Sequence, residues 1–259
     1  MKFLLILVVS LSAIAAEPIR AKHGMVVSSH ALASEVGVDV LRSGGNAVDA
    51  AIATGLALAV VHPSAGNIGG GGFMLVMLKD GSVTSFDFRE TAPAAASAEM
   101  YASLDNSNHE GYKSIGTPGT LAGFNAALKK FGRKPLKDLI APAVKLAEDG
   151  FPLSPAQASA FAKLKPDWQK YPTSANVFLH PDGSTYKAGE TWKQPNLALT
   201  LKIIQSYGFA AFYKGRIATL ISADMRAHGG LITKSDLANY KAVERAPIHS
   251  QYHGYDIYS

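Results

Sequence analysis

The sequence predicts an α+β protein that is mostly helical and has a few core strands. Residues 47–61 are apolar on every side and lie between helix start and stop signals, which indicates a helix at the centre of the fold. Residues 73–78 and 82–88 have the composition of strands, and the Asp80-Gly81 pair between them is typical of a β-hairpin. After the second run, capping signals recur, so we expect most of the remaining chain to be helical.

The first helix is expected to begin after Ser28 or Ser29, either of which can cap it, and to end at Arg42, where glycines follow. The central helix has a stronger start signal. Asn46 can cap its first turn, and Asp49 stands three residues on, where the helix dipole favours an acid.

The first strand-like run is apolar on both faces, which predicts an inner strand, whereas the second run alternates. Thr117 stands before a proline and is expected to cap the next helix. The segment 166–189 is the longest region without a regular pattern. The other elements are helices at 117–131, 136–149, 197–206 and 215–227, helices opened by Ser154 and Thr233, and a strand–turn–strand over 246–259.

The start of the chain has the pattern of a secretory signal. Lys2 supplies a positive charge, residues 3–11 are almost entirely apolar, and Ala13 and Ala15 match a small-x-small cleavage site. This apolar run is shorter than the roughly 20 residues that a spanning helix needs. We therefore expect a signal peptide at residues 1–15, one domain over 16–259, and a periplasmic or secreted protein without a membrane span.

Composition excludes several classes of function. The 259 residues include no cysteine, which excludes disulfides, thiolate metal sites and a thiol nucleophile. The net charge of +5 is scattered without a basic run, so nucleic-acid binding is not expected. The eight histidines include no His-Glu-x-x-His pattern. No metal site is predicted.

Residues 66–72 are rich in glycine and follow a helix, with a strand after them. Nucleotide-binding loops have the opposite order, from strand to helix, so a phosphate cradle is not supported. Two interpretations stay open at this point. The glycines could allow the backbone to approach another segment closely, or their N–H groups could form an anion hole.

Arg89 and Glu90 follow directly after the second strand. An arginine at a strand end can present its forked guanidinium to a substrate carboxylate. The plainer alternative is a structural ion pair of Arg89 with Glu90 or with Asp87. The residues alone favour that alternative and leave the function undecided.

Several motifs together resemble the γ-glutamyltransferase family, also called γ-glutamyltranspeptidase or glutathione hydrolase, and most of all its bacterial exported members. The similarity is colinear from about residue 23 to residue 259. Its motifs are Gly-Gly-Asn-Ala-Val-Asp-Ala-Ala at 44–51, the stretch 62–73 with its four consecutive glycines, Asp-Phe-Arg-Glu-Thr-Ala-Pro at 87–93, Gly-Thr-Pro-Gly-Thr-Leu-Ala-Gly at 116–123 and Gly-Gly-Leu-Ile-Thr at 229–233.

The resemblance implies an N-terminal-nucleophile hydrolase with an αββα sandwich, made as a precursor that cuts itself into a large and a small subunit. A threonine that begins the small subunit attacks the γ-amide of glutathione or of another γ-glutamyl compound. Water or an acceptor amino acid or peptide then takes the γ-glutamyl group. No cofactor is implied. Arg89 matches the arginine that holds the substrate α-carboxylate, with Glu90 as a supporting neighbour.

The family's nucleophile lies in a Thr-Thr-His context, and this sequence has no Thr-Thr pair. We therefore expect the chain to be the large-subunit portion of such an enzyme, incomplete at its C-terminus and without a catalytic residue of its own. By itself it is expected to be inactive and prone to aggregation, with apolar strand faces and an unpaired edge at 255–259 exposed.

Three rival functions remain. The chain could be a non-catalytic exported protein that binds γ-glutamyl or amino-acid carboxylates through Arg89. It could be half of a split enzyme whose small subunit is encoded separately. A nucleotide-binding protein is the least supported, because of the order of elements around the glycines.

Overall fold

A computed structural model describes residues 18–102 and 109–259, and it confirms an α+β architecture. The predicted signal peptide lies outside the described residues. Within them, none of the helices is long and apolar enough to cross a membrane. The helices are α1 (Ala31–Arg42), α2 (Ala47–Val61), α3 (Thr120–Phe131), α4 (Leu136–Asp149), α5 (Pro155–Gln169), α6 (Pro172–Phe178), α7 (Pro195–Tyr207), α8 (Ala210–Lys214), α9 (Arg216–Ala227) and α10 (Lys234–Asn239). The strands are β1 (Phe73–Met77), β2 (Val83–Asp87), β3 (Phe151–Pro152), β4 (Thr191–Trp192), β5 (Val243–Arg245), β6 (His249–Tyr252) and β7 (Tyr255–Tyr258).

Helix α2 lies at the centre of the core, as predicted, and packs against α1, α3 and α4. Its capping box is complete, because the Asn46 side chain accepts from the Asp49 N–H while the Asp49 carboxylate accepts from the Asn46 N–H. Asp49 is fully buried and also accepts from the backbone N–H groups of Arg133 and Lys134. This carboxylate therefore joins the start of α2 to the loop between α3 and α4.

Two predicted helix starts are wrong. Helix α1 is capped by His30, whose Nδ1 accepts from the Leu32 N–H, and the hydroxyl of Ser28 instead accepts from the His30 N–H. Helix α3 begins at Thr120 because Thr117 is held in a β-bridge with Thr91. Ser28 thus bonds to the backbone of the cap residue, and the backbone of Thr117 is paired with Thr91, so neither residue caps its helix.

The segment 166–189 is also more regular than predicted, since α5 continues to Gln169 and α6 follows. Its order comes from aromatic packing. The rings of Trp168 and Phe178 stack with centroids 4.4 Å apart, and the fully buried Trp192 donates its indole N–H to the Val177 carbonyl. Such contacts between distant residues have no local sequence pattern.

The main sheet has three antiparallel strands in the order β1–β2–β5. One face packs on the helices, with Phe86 against Phe131 and the next residue of that face, Phe88, against Phe124. Strand β1 lies at the sheet edge among the described residues, which corrects the predicted inner position. The opposite face carries exposed apolar side chains. We call its exposed apolar patch, Phe73, Leu75, Met77 and Val243, the outer sheet face; Ser85 and the Asp87–Arg245 ion pair lie beside this patch.

Two short antiparallel pairs complete the strands, β3 with β4 and β6 with β7. The second pair is the hairpin predicted over residues 246–259. Its turn is at His253, the one non-glycine residue with positive φ among the described residues, and Gly254. Strand β7 pairs with β6 along one edge, and among the described residues its other edge has no partner strand, as expected for 255–259.

Candidate functional site

Arg89 lies two residues beyond the end of β2, at the rim of the main sheet. Phe88, directly before it, is buried and exchanges two backbone hydrogen bonds with Gly72, so the strand pairing continues to the residue before Arg89. The Arg89 side chain is 65% exposed, and its Nε lies 3.3 Å from Oε2 of Glu90. The guanidinium therefore points out from a well-anchored strand end.

Both backbone groups of Arg89 are hydrogen-bonded. Its N–H donates to Oδ1 of Asp87 at 3.1 Å, and its carbonyl accepts from the phenol of Tyr240 at 2.7 Å. The second carboxylate oxygen of Asp87 accepts from Nε of Arg245 at 2.8 Å. Residues on β2, β5 and the end of α10 thus hold one short segment in place.

Nearby charges and burial determine the protonation states of Asp87 and Tyr240. The N–H of Arg89, followed by the guanidinium of Arg245, holds the pKa of Asp87 below its usual value. Burial, with the carboxylates of Asp87 and Glu90 nearby, raises the pKa of Tyr240 to about 12. At neutral pH the aspartate is therefore an acceptor and the phenol is a donor, as their hydrogen bonds require.

The glycine-rich segment passes directly behind Arg89. A Cβ atom at Gly71 would lie 2.6 Å from the Phe88 carbonyl oxygen and 2.7 Å from Oε2 of Glu90. The Gly70 carbonyl accepts from the N–H groups of Gly119 and Thr120 at the start of α3. Close backbone approach, the first of the two interpretations of these glycines, is the arrangement found.

The structure brings the two predicted site residues, Arg89 and Glu90, into contact. Of the proposed structural pairs, Arg89 with Glu90 is present, while the Asp87 carboxylate pairs with Arg245. Sequence reasoning missed Tyr240 and Arg245. Tyr240 is 151 residues from Arg89, and no local pattern links them. The sequence did contain one local signal for the anchoring of Arg89: Asp87 stands two residues before it, which is the spacing of an Asx turn.

Other polar groups have structural explanations. His249 pairs with Asp256 across the β6–β7 hairpin, and His180 pairs with Glu190. Over residues 18–102 and 109–259, no group of three or more His, Asp or Glu side chains could hold a metal ion. A cavity of 880 Å³ between α6 and α7 is lined by His180, Tyr186 and Lys193 among others, and Arg89 is not part of it.

Known proteins resemble this chain closely. The family model for gamma-glutamyltranspeptidase matches residues 33–259. The glutathione hydrolase proenzyme of Escherichia coli (strain K12) is 49% identical over 248 residues, which are 93% of this chain and 43% of that protein. The glutathione hydrolase proenzyme of Bacillus subtilis (strain 168) is 42% identical over 91% of this chain and 41% of its own length. The chain thus spans less than half the length of these curated relatives.

The solved structures agree with the sequences. The γ-glutamyltranspeptidase of Helicobacter pylori superposes with a TM-score of 0.92 at 46% identity, covering 93% of this chain and 71% of that one. The enzyme of Pseudomonas nitroreducens, complexed with L-DON, gives a TM-score of 0.86 at 38% identity with the same coverage. These neighbours are N-terminal-nucleophile hydrolases, which confirms the expected fold class. By sequence and by fold, the chain belongs to the gamma-glutamyltranspeptidase family.

Proposed function

We propose that this chain forms the large-subunit portion of a glutathione hydrolase that binds the γ-glutamyl donor through Arg89. One observation carries the proposal: the exposed guanidinium of Arg89 extends from a strand end, and both the N–H and the carbonyl of Arg89 are hydrogen-bonded. A bidentate guanidinium–carboxylate pair would hold the donor α-carboxylate in one orientation. Glu90 contacts Nε of Arg89 and so supports the side chain, leaving the two terminal nitrogens to face the carboxylate.

The proposed reaction is transfer of the γ-glutamyl group from glutathione or a related compound. The hydroxyl of the small subunit's N-terminal threonine attacks the γ-amide carbon, and its proton passes to the threonine α-amine. The amide C–N bond breaks, the leaving amine takes a proton, and a γ-glutamyl ester of threonine remains. Water or an acceptor amino acid or peptide then cleaves the ester. The part of this chain in the reaction is to orient the donor.

The small subunit of the same precursor is the proposed partner of the outer sheet face. Phe73 and Met77 on that face are 61% and 62% exposed, and Leu75 and Val243 lie beside them. Apolar strand faces of this kind are normally covered. In an αββα sandwich the second sheet would cover them, and we propose that the small subunit supplies it.

Two further expectations belong to the same proposal. The chain alone, without the threonine nucleophile, is inactive and self-associates through the outer sheet face. The full protein is exported to the periplasm or secreted after cleavage near Ala15, and residues 16–259 then act as one domain. An active, monomeric product made from this chain alone would contradict the first expectation.

The experiment that tests donor binding uses Arg89→Lys and Arg89→Ala in the self-processed enzyme that carries this chain. Loss of a charge-assisted bidentate pair, roughly 1.5–3 kcal/mol, should raise KM for a γ-glutamyl donor by about 10–100-fold. Arg42→Ala is the matched control, because Arg42 forms an exposed pair with Asp39 away from the sheet. An unchanged donor KM in Arg89→Ala would refute the assignment.

A further inference from the structure

The carbonyl of Arg89 is held by a residue from a distant part of the chain. Tyr240 immediately follows α10 and donates its phenol proton to this carbonyl at 2.7 Å. Helix α10 is tied to the same segment a second time, because Oδ1 of Asp236 accepts from the Ala94 N–H at 2.9 Å. The segment that starts at Arg89 is therefore docked onto α10 at both of its ends.

The phenol is itself fixed from several sides. The Tyr240 ring lies nearly parallel to Tyr213, with an interplanar angle of 12° and centroids 6.0 Å apart. Gly119 leaves the space that the hydroxyl occupies, because a Cβ atom there would overlap both the Tyr240 oxygen and the Phe88 carbonyl oxygen. A hydroxyl confined in this way defines where the Arg89 peptide can sit.

We propose that Tyr240 is a positioning residue for donor binding, which acts through Arg89 by holding its peptide group. The inference rests on the proposed function, since it assumes that Arg89 binds the donor α-carboxylate. Tyr240 makes its contact with the main chain, so its effect on the donor is transmitted by the orientation of the guanidinium. A flexible Arg89 peptide would lose rotational freedom each time a donor binds, and this entropy cost would weaken donor binding.

The test is Tyr240→Phe in the processed enzyme, which removes one hydroxyl and retains the ring stack. We expect KM for a γ-glutamyl donor to rise about fivefold, the equivalent of one ordinary hydrogen bond, with kcat changed less than twofold. In an Arg89→Lys background the same substitution should raise KM less than twofold, because residues that act as a unit are not additive. A donor whose α-carboxylate is esterified should likewise be insensitive to Tyr240→Phe.

Tyr213→Phe is the control for a merely structural effect. Its phenol is buried, donates to the Pro118 carbonyl and accepts from the Ala122 N–H, so Tyr213→Phe removes a hydroxyl from the other ring of the same stack without touching Arg89. We expect Tyr213→Phe to lower the thermal unfolding midpoint at least as much as Tyr240→Phe does, and to leave donor KM unchanged.

The outcomes separate the two proposals. If Arg89→Lys raises donor KM and Tyr240→Phe does not, the positioning role is wrong and the proposed function stands. If Tyr240→Phe raises KM equally in the Arg89→Lys background, or if Tyr213→Phe raises it as much, the effect does not pass through Arg89. If Arg89→Lys leaves donor KM unchanged, the proposed function itself fails.

Discussion

At the scale of single residues, Asp49 is the clearest case of one side chain joining separate parts of the chain. Its carboxylate is fully buried and accepts backbone hydrogen bonds from Asn46, Arg133 and Lys134. A buried carboxylate is stable only where donors surround it, and here the main chain provides all three. The residue caps α2 and at the same time fixes the loop that leads to α4.

We predict that Asp49→Ala lowers the free energy of unfolding by about 3 kcal/mol, because backbone donors near the core lose their acceptor together. Denaturant titration of the processed enzyme would measure the loss. Asp39→Ala is the control: Asp39 forms an exposed pair with Arg42, and such pairs contribute about 0–1 kcal/mol. Equal losses of unfolding free energy in the two variants would show that the buried hydrogen bonds of Asp49 contribute no more to stability than an exposed ion pair.

The candidate site divides at this scale into a predictable and an unpredictable part. Arg89 and Glu90 were found because a strand end and a motif mark them in the sequence. Tyr240 and Arg245 come to the site only when α10 and β5 fold back beside β2. Their contacts depend on tertiary distance, so no spacing along the chain could indicate them.

At the scale of elements, the predicted caps that proved correct are the self-contained ones. Asn46, Ser154 and Thr233 each form a complete capping box with the residue three positions on. A capping box needs only four consecutive residues, so sequence determines it. Ser28 and Thr117 lack such a partner: the Ser28 hydroxyl bonds to the backbone of His30, and the backbone of Thr117 pairs with that of Thr91.

The contact between α1 and α2 contains a polar atom without a partner. The Thr54 hydroxyl is buried against Gly37 and makes no hydrogen bond with any described residue. We predict that Thr54→Val stabilises the protein by about 1 kcal/mol, because the methyl group has the shape of the hydroxyl and no need of a partner. A rise in the thermal unfolding midpoint would be the measured result.

Thr120→Val makes the same chemical change, but we expect it to shift the thermal unfolding midpoint in the opposite direction. The Thr120 hydroxyl is also buried, but it donates to Oδ1 of Asn67 at 2.6 Å. Its loss should lower the unfolding midpoint, since the amide oxygen would lose a donor. If both variants shift the midpoint in the same direction, hydrogen-bond satisfaction does not explain the difference between the two sites.

At the scale of the whole molecule, the main sheet is covered on one side by helices and exposes several apolar side chains on the other. If the proposed small subunit covers the outer sheet face, β1, which is an edge strand among the described residues, lies in the interior of the assembly. Coverage by the proposed small subunit would account for the apolar side chains that β1 exposes here, Phe73, Leu75 and Met77.

We predict that Leu75→Asp reduces the yield of self-processed enzyme at least tenfold, because it would bury a carboxylate in the interface with the small subunit. Quantifying the two subunits on a denaturing gel measures the yield. Lys79→Asp adds the same acidic group beside the exposed β1–β2 turn and should process normally. Normal processing of Leu75→Asp would mean that the small subunit does not cover this face.

The sequence by itself determined the elements whose signals are local: the apolar central helix, the β1–β2 hairpin, the capping boxes and the motif that contains Arg89. These depend on periodicity and on hydrogen bonds between neighbours in the chain. Only the tertiary structure decided that Tyr240 holds the Arg89 peptide, that Thr117 bridges to Thr91, and that β1 lies at a sheet edge. Each of these depends on the approach of residues far apart in the chain, which the packing of the whole fold brings about.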